Sequence, residues 1–236
     1  MRIDTLLFDV HLTLVGDQGF PREIIWRLIE EEGTKVNLTD YYHRYNELVH
    51  ELFNWPKIQP FRKIRDIHRH RLEIFYNEYN ITRDIDSDVN YLWQQMKTSQ
   101  IYPEVADVID NLKKEYKIGL ISNADRDDPL IEILHENEYT FDAITTSEEV
   151  CTYKPNKKIF DVALQKLDCL PENALIIGDS CISDIQGAHN SNIKCVWINR
   201  KQKPLPGGIP KPDFEINNLT SLTSILAGLN QNKEQL

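Results

Sequence analysis

Residues 174–180 read ALIIGDS, a short apolar run that stops at a glycine and an acid. Four other stretches share this pattern: TLLFDV (5–10), KIGLISN (117–123), FDAITTS (141–147) and KCVWIN (194–199). Runs of this length, apolar throughout rather than alternating, suit strands buried on both faces of a parallel sheet. Helical patterns lie between most of them, such as PEVADVIDNLKKEY (103–116) and KKIFDVALQKLD (157–168). Asp128 and Pro129 supply a cap and first helical position ahead of LIEILHEN. This alternation predicts a layered α/β fold with a Rossmann-like parallel sheet. Ligands of such sheets bind at the carboxyl edge of the strands, which is where Asp9, Ser122 and Asp179 are expected to face.

One segment interrupts the alternation. Residues 17–98 carry helical periodicity and almost no strand signal, with helices expected near 21–32, 39–53, 61–79 and 86–97. The expected division is an α/β core from residues 1–16 and 99–236 and an inserted α-helical bundle from residues 17–98. An insert placed directly after the first strand hangs over the edge that carries Asp9, where it can close over a substrate and exclude water. Between Lys57 and Arg71 the insert has six basic side chains and one acidic one. They read first as a solvated helix face and second as a patch that steers an anion. The stretch KPLPGGIPKPD (203–213) reads as a surface loop before a short strand, DFEI, and a last helix. The tail QNKEQL is expected to fray.

Composition narrows the function classes. The chain has 236 residues, 41% hydrophobic and 27% charged, as in ordinary soluble proteins. Its net charge of -10 argues against nucleic-acid binding, which relies on a basic surface. The four cysteines, at positions 151, 169, 181 and 195, have no zinc-like spacing and read as reduced thiols. No apolar run approaches the roughly 20 residues of a membrane span, and the start, MRIDTLLFDV, is no secretory leader. A cytoplasmic protein without membrane or nucleic-acid partners is expected, as a monomer or homodimer.

Four separated elements carry the chemistry: FDVHLTL with Asp9 and Thr13, LISNAD with Ser122 and Asn123, YKP with Lys154, and IIGDSCISD with Asp179 and Asp184. Phosphoryl transfer needs an in-line nucleophile, compensation of phosphate charge and tight positioning, and each element can supply one of these. In this order the four elements resemble the haloacid dehalogenase (HAD) superfamily. TSEEVCTYKPNKKIF and GDSCISDIQGA are especially similar to its dehalogenase- and phosphatase-like branch, whose helical cap also follows the first motif.

The resemblance implies a hydrolase in which Asp9 is the nucleophile, Lys154 neutralises phosphoryl oxygens and restrains Asp9, and Ser122 hydrogen-bonds the transferred group. Thr13 and Asn123 complete the substrate-binding set. It implies Mg2+ as cofactor, held by Asp9, the backbone carbonyl of His11 and Asp179, with Asp184 in support, and a small phosphorylated metabolite as substrate. A hard divalent ion would also settle the repulsion among these acids.

The pattern of these phosphatases is Asp-x-Asp-x-Thr, whereas this chain reads Asp9-Val10-His11-Leu12-Thr13. Histidine stands where those enzymes keep their general acid/base, and it titrates in a range that allows the same task at a shifted pH. Two alternatives stay open: a metal-free 2-haloacid dehalogenase, which also lacks the second aspartate, and a non-catalytic binding protein on the same fold. The intact Gly178-Asp179-Ser180 speaks against the dehalogenase. His43, His50, His68, His70, His135 and His189 show no metal spacing and read as surface or satisfied polar residues. Trp26, Trp55 and Trp93 read as packing residues, with Trp55 alone a candidate for the cleft.

Overall fold

The computed structural model describes residues 2–16, 20–52 and 60–231, without the side chains of His50 and Gln231. Trp55, Lys57 and the tail residues 232–236 lie outside the described residues.

The elements follow in chain order as β1 (Thr5–Phe8), α1 (Pro21–Glu31), α2 (Leu38–Leu52), α3 (Ile64–Tyr79), α4 (Ile85–Met96), α5 (Val105–Leu112) and β2 (Lys117–Ser122). Next come α6 (Pro129–Glu136), β3 (Ala143–Thr146), α7 (Ser147–Val150), α8 (Lys157–Lys166) and β4 (Ala174–Gly178). A wide π turn (Cys181–Gln186) runs into α9 (Gly187–Asn190), and β5 (Lys194–Ile198), β6 (Phe214–Ile216) and α10 (Leu222–Gln231) complete the chain.

All six strands are parallel, in the order β3-β2-β1-β4-β5-β6. β1 is central, with Leu7 opposite Gly119 on one side and Ile176 on the other. Successive strand residues serve opposite faces, as the period of two requires. Leu6, Phe8, Leu175 and Ile177 join one cluster with Val105, Ile109, Leu134 and Leu222. Leu7, Ile176 and Cys195 join another with Ile159, Phe160 and Ala188. Apolar packing on both faces is why the strands read as continuous apolar runs.

α1 to α4 pack around a core of their own, with Ile25, Leu28, Tyr41, Tyr45, Leu72, Phe75 and Val89. The third helix starts at Ile64 rather than near 61. The reason is an acceptor from elsewhere in the chain: the Asp125 carboxylate takes the backbone N–H of Ile64 and of Arg65, each at 2.8 Å. Tyr153 adds a second link by donating its hydroxyl to the Arg62 carbonyl. Asp128 caps α6 as expected, accepting from Leu130 and Ile131.

The four cysteines are free thiols. Among the described residues, no helix is long and apolar enough to cross a membrane. In the basic stretch Lys63, Arg65 and Arg69 lie on a partly exposed face, engaged with Glu148, Asp127 and Asp86, while Arg71 departs from that face and is buried.

Candidate active site

β1, β2 and β4 end side by side, so the residues that follow them share one edge of the sheet. Asp9 follows β1, Ser122 closes β2 and Asp179 follows β4. Asp9 is anchored through its backbone N–H to the Ile177 carbonyl of β4 at 2.9 Å. Carboxylate oxygens of Asp9, Asp179 and Asp184 all lie within 4.8 Å of one another.

Lys154, only 1% exposed, sits among these acids. Its Nζ donates to Asp9 Oδ1 at 2.6 Å, to Asp184 Oδ1 at 2.6 Å and to the Ile121 carbonyl at 2.9 Å. Burial alone would lower the lysine pKa, but Asp184 and Asp9 outweigh it and raise it above the ordinary value, so the ammonium stays charged. Asp179 and Asp184 show the reverse balance. Burial, with the charges of Asp9 and Asp184, pushes Asp179 well above the usual carboxylate range. Burial also raises Asp184, to about 6, against the pull of Lys154. One ammonium therefore serves three carboxylates, and the cluster is short of positive charge.

Local geometry fixes each member. The side-chain amide of Asn123 accepts from the Lys154 backbone N–H at 2.7 Å and donates to its carbonyl at 3.2 Å. Asn123 thus aligns the lysine as well as lining the cavity above the site. Asp184 is carried by the π turn and accepts the Ser180 N–H at 3.0 Å. A Cβ on Gly178 would lie 2.3 Å from Asp184 Cγ, so only glycine lets the buried carboxylate close on the backbone here.

The loop after β1 is a tight turn. The N–H groups of Leu14 and Val15 both donate to the Val10 carbonyl, and Leu12 has φ of 58°. His11 emerges from it with its ring stacked on Phe20, 5.3 Å between centroids. Thr13 is fully buried, and its side chain is not among those lining the cavity.

Arg200, just past β5, holds this turn in place. It donates to the Leu12 carbonyl at 3.3 Å and the Thr13 carbonyl at 2.9 Å, pairs with Glu104 at 2.7 Å and covers the Tyr102 ring.

A cavity of about 680 Å3 lies over the edge. Its floor includes His11, Ser122, Asn123, Ser180 and Ser183, and the helices before α5 contribute Tyr45, Val49, Ile64, His68, Arg71 and Met96. His68, expected as a surface or satisfied polar residue, is buried on this wall. Burial, followed by the neighbouring Arg71 and His11, drives its pKa well below the usual histidine value, so the ring is neutral. Sequence reasoning missed Arg71, Asp125 and Arg200. Positions 68 and 71 do carry a signal, because they fall in phase with Ile64, Ile67, Leu72 and Phe75 on the buried stripe of α3.

Fold and site together define an α/β hydrolase whose acids and lysine meet at the carboxyl edge of a parallel sheet. The chain belongs to the haloacid dehalogenase-like hydrolase family, whose family model matches residues 68–198. It is 28% identical over 237 residues to the pyrophosphatase PpaX of Bacillus cereus (strain Q1), covering 98% of this chain and 100% of that protein. It is 33% identical over 128 residues to the pyrimidine 5'-nucleotidase YjjG of Escherichia coli (strain K12), covering 52% of this chain and 56% of that one. Among solved structures it is similar to the magnesium-bound HAD hydrolase YfnB of Bacillus subtilis, with a TM-score of 0.79 at 23% identity, over 96% of this chain and 100% of that one.

Proposed function

We propose that this hydrolase removes phosphate from a small phosphomonoester, with Asp9 as nucleophile and Mg2+ at the acid cluster. The observation that carries the reading is the Lys154 bridge, which binds Asp9 and Asp184 at 2.6 Å each beside a third carboxylate. Three acids around one ammonium make a site that is completed by a further cation. Carboxylates are hard oxygen donors of the kind magnesium prefers. Asp9, Asp179 and the His11 carbonyl would hold the ion, with Asp184 behind them. When bound, it supplies the positive charge that lets the acids ionise together and offsets charge on the phosphoryl oxygens.

Lys154 holds Oδ1 of Asp9, which leaves the other oxygen to attack phosphorus. As that bond forms, the bond from phosphorus to the leaving oxygen breaks, and protonated His11 gives that oxygen a proton. The product is an aspartyl phosphate. Neutral His11 then takes a proton from water, whose oxygen attacks phosphorus and releases inorganic phosphate and free Asp9. Ser122 hydrogen-bonds the phosphoryl oxygens, and Lys154, whose three N–H groups are already engaged, offsets their charge. Residues 17–98 act as a cap domain on a core of residues 1–16 and 99–236, covering the cavity during turnover. The names of the relatives, a pyrophosphatase and a nucleotidase, support a phosphorylated substrate. The metal-free dehalogenase reading gives no task to the crowding of Asp179 against Asp9 and Asp184.

The test is a panel of phosphate esters, nucleoside monophosphates and pyrophosphate, assayed in magnesium or in EDTA with wild type and Asp9→Asn. Phosphate release that needs metal and disappears in Asp9→Asn is the expected result. Chloride release from a 2-haloacid in EDTA, with no phosphate released from any ester, would replace this reading with the dehalogenase.

A further inference from the structure

The three acids of the site stand on two separate loops. Asp9 follows β1, and Asp179 follows β4 with Asp184 beyond it on the π turn. Their carboxylates lie within 4.8 Å of one another, and their ionised forms repel. The three N–H groups of Lys154 go to Asp9, Asp184 and the Ile121 carbonyl, so Asp179 must be held by other means. A cation site needs its ligands fixed before the ion arrives, and groups behind the ligands do that work.

The end of β5 supplies such groups. Trp197, opposite Gly178 in the ladder and 4% exposed, donates its indole N–H to the Asp179 carbonyl at 2.9 Å. Three residues on, the Arg200 fork reaches the loop after β1 through the Leu12 and Thr13 carbonyls, while Glu104 and the Tyr102 ring hold the guanidinium itself. That loop needs an outside hold, because Leu12 has φ of 58°, a region unfavourable for a residue with a side chain. Between the two, buried Asn199 pins the segment: its N–H donates to the Ile216 carbonyl at 2.7 Å, and its side chain bonds Lys203 and Glu215. One anchored piece of chain therefore grips both loops. Neither Trp197 nor Arg200 is among the residues lining the large cavity, and both line a smaller one of about 240 Å3 with Leu12 and Asp179. They reach the loops from outside the space open to a substrate.

We infer that Trp197 and Arg200 are positioning residues, a clamp at the end of β5 that fixes Asp179 and the loop bearing Asp9 and His11 at the spacing a divalent cation requires. The inference rests on the cation site of the phosphatase reading, whereas the reaction itself does not enter it.

Magnesium affinity, measured by calorimetry on the metal-free protein without substrate, reads the clamp directly. Wild type is compared with Arg200→Met, Arg200→Lys, Trp197→Phe and Asp213→Ala, each checked for folding by circular dichroism. Asp213 is the control, because it holds the opposite end of β5 by accepting from the Cys195 N–H at 2.9 Å and from Lys194 at 3.0 Å. Outer partners of metal ligands govern roughly 10- to 100-fold in affinity, so Arg200→Met should bind magnesium about tenfold or more weakly. Arg200→Lys keeps the charge without the fork and should recover part of that loss. Trp197→Phe keeps an aromatic ring without the N–H and should lose several-fold, whereas Asp213→Ala should match wild type. Once magnesium saturates each variant, KM for a phosphate ester should equal that of wild type, since neither residue meets the substrate. Wild-type affinity in folded Arg200→Met, an equal loss in Asp213→Ala, a KM that stays raised at saturating magnesium, or a wild type that binds no magnesium overturns the inference. Should Arg200→Met fail to fold, Arg200→Lys and Trp197→Phe decide. Arg200-dependent magnesium binding with no phosphate released from any ester would strike the proposed reaction and leave the clamp standing. Phosphate release with magnesium affinity indifferent to Arg200 would strike the clamp alone.

Discussion

Replacing Lys154 by methionine keeps the length of the side chain and deletes its charge, which isolates the electrostatic role of the bridge. The ammonium makes two bonds of 2.6 Å to buried carboxylates, one of them, Asp184, fully enclosed. Removing one partner of a buried ion pair costs about 3–5 kcal/mol, because the remaining charge stays desolvated and unmatched. That is a large share of the roughly 5–15 kcal/mol that holds a domain together. The loss should depend on pH. Asp184 already titrates at about 6 with Lys154 present, raised by burial, and Asp179 is raised well above the usual range by burial and its two acidic neighbours. Carboxyls whose folded pKa exceeds the unfolded value bind protons on folding, so their penalty shrinks as the pH falls below the folded value and is gone below the unfolded one. Urea unfolding of wild type and Lys154→Met in EDTA at pH 8 and pH 5 measures this. The expected gap is several kcal/mol at pH 8 and clearly smaller at pH 5. An equal gap at both values would mean that Lys154 contributes packing rather than charge, and the account of the cluster would fail.

Other consequences can be checked alongside. Asp125→Ala removes the acceptor for two N–H groups that open α3 and should cost about 1–2 kcal/mol, as lost helix caps do, with faster hydrogen exchange at Ile64 and Arg65; unchanged exchange there would refute the capping role. His11→Asp restores the acid/base residue of the phosphatase pattern, so phosphate release at pH 7 should rise; a folded variant no faster than wild type would remove His11 from the proton transfers. Burial raises Asp125 to about 6 and Asp128 to about 7, so both folded values exceed the unfolded one. Their share of the stability of the metal-free protein should therefore rise as pH falls from 8 to 5, by about 1.4 kcal/mol for each pH unit between the folded pKa and pH 5, against the opposite contribution of the buried neutral His68, and Asp128→Asn should flatten that rise. The same pH slope in wild type and Asp128→Asn would contradict it.

The sheet was legible because its strands are covered on both faces, which leaves them little choice but apolar residues, and each run then ends where the chain leaves the sheet. Asp9, Ser122 and Asp179 stand at those exits, so their convergence could be anticipated from strand order alone. Lys154 needed the motif as well, since nothing local marks a lysine after Tyr153 as buried. The residues that escaped notice depend on contacts between distant segments. Asp125 caps a helix that begins about 60 positions earlier in the chain. Arg200 gathers carbonyls from the opposite end of the sequence. Arg71 and His68 were hidden differently: in composition they belong to a basic surface run, and only their phase on α3 betrays that they point inward.

The link from Asp125 to α3 has a mechanical consequence. The helix packs in the core shared by α1 to α4, but the group that caps its start stands in the loop after β2, so α3 cannot leave that loop while its first turn stays satisfied. Without that acceptor the N–H groups of Ile64 and Arg65 would both be left unmatched, and Ile64 is also part of the cavity wall. One aspartate thus ties the first turn of a helix and the lining of the cavity to the same loop.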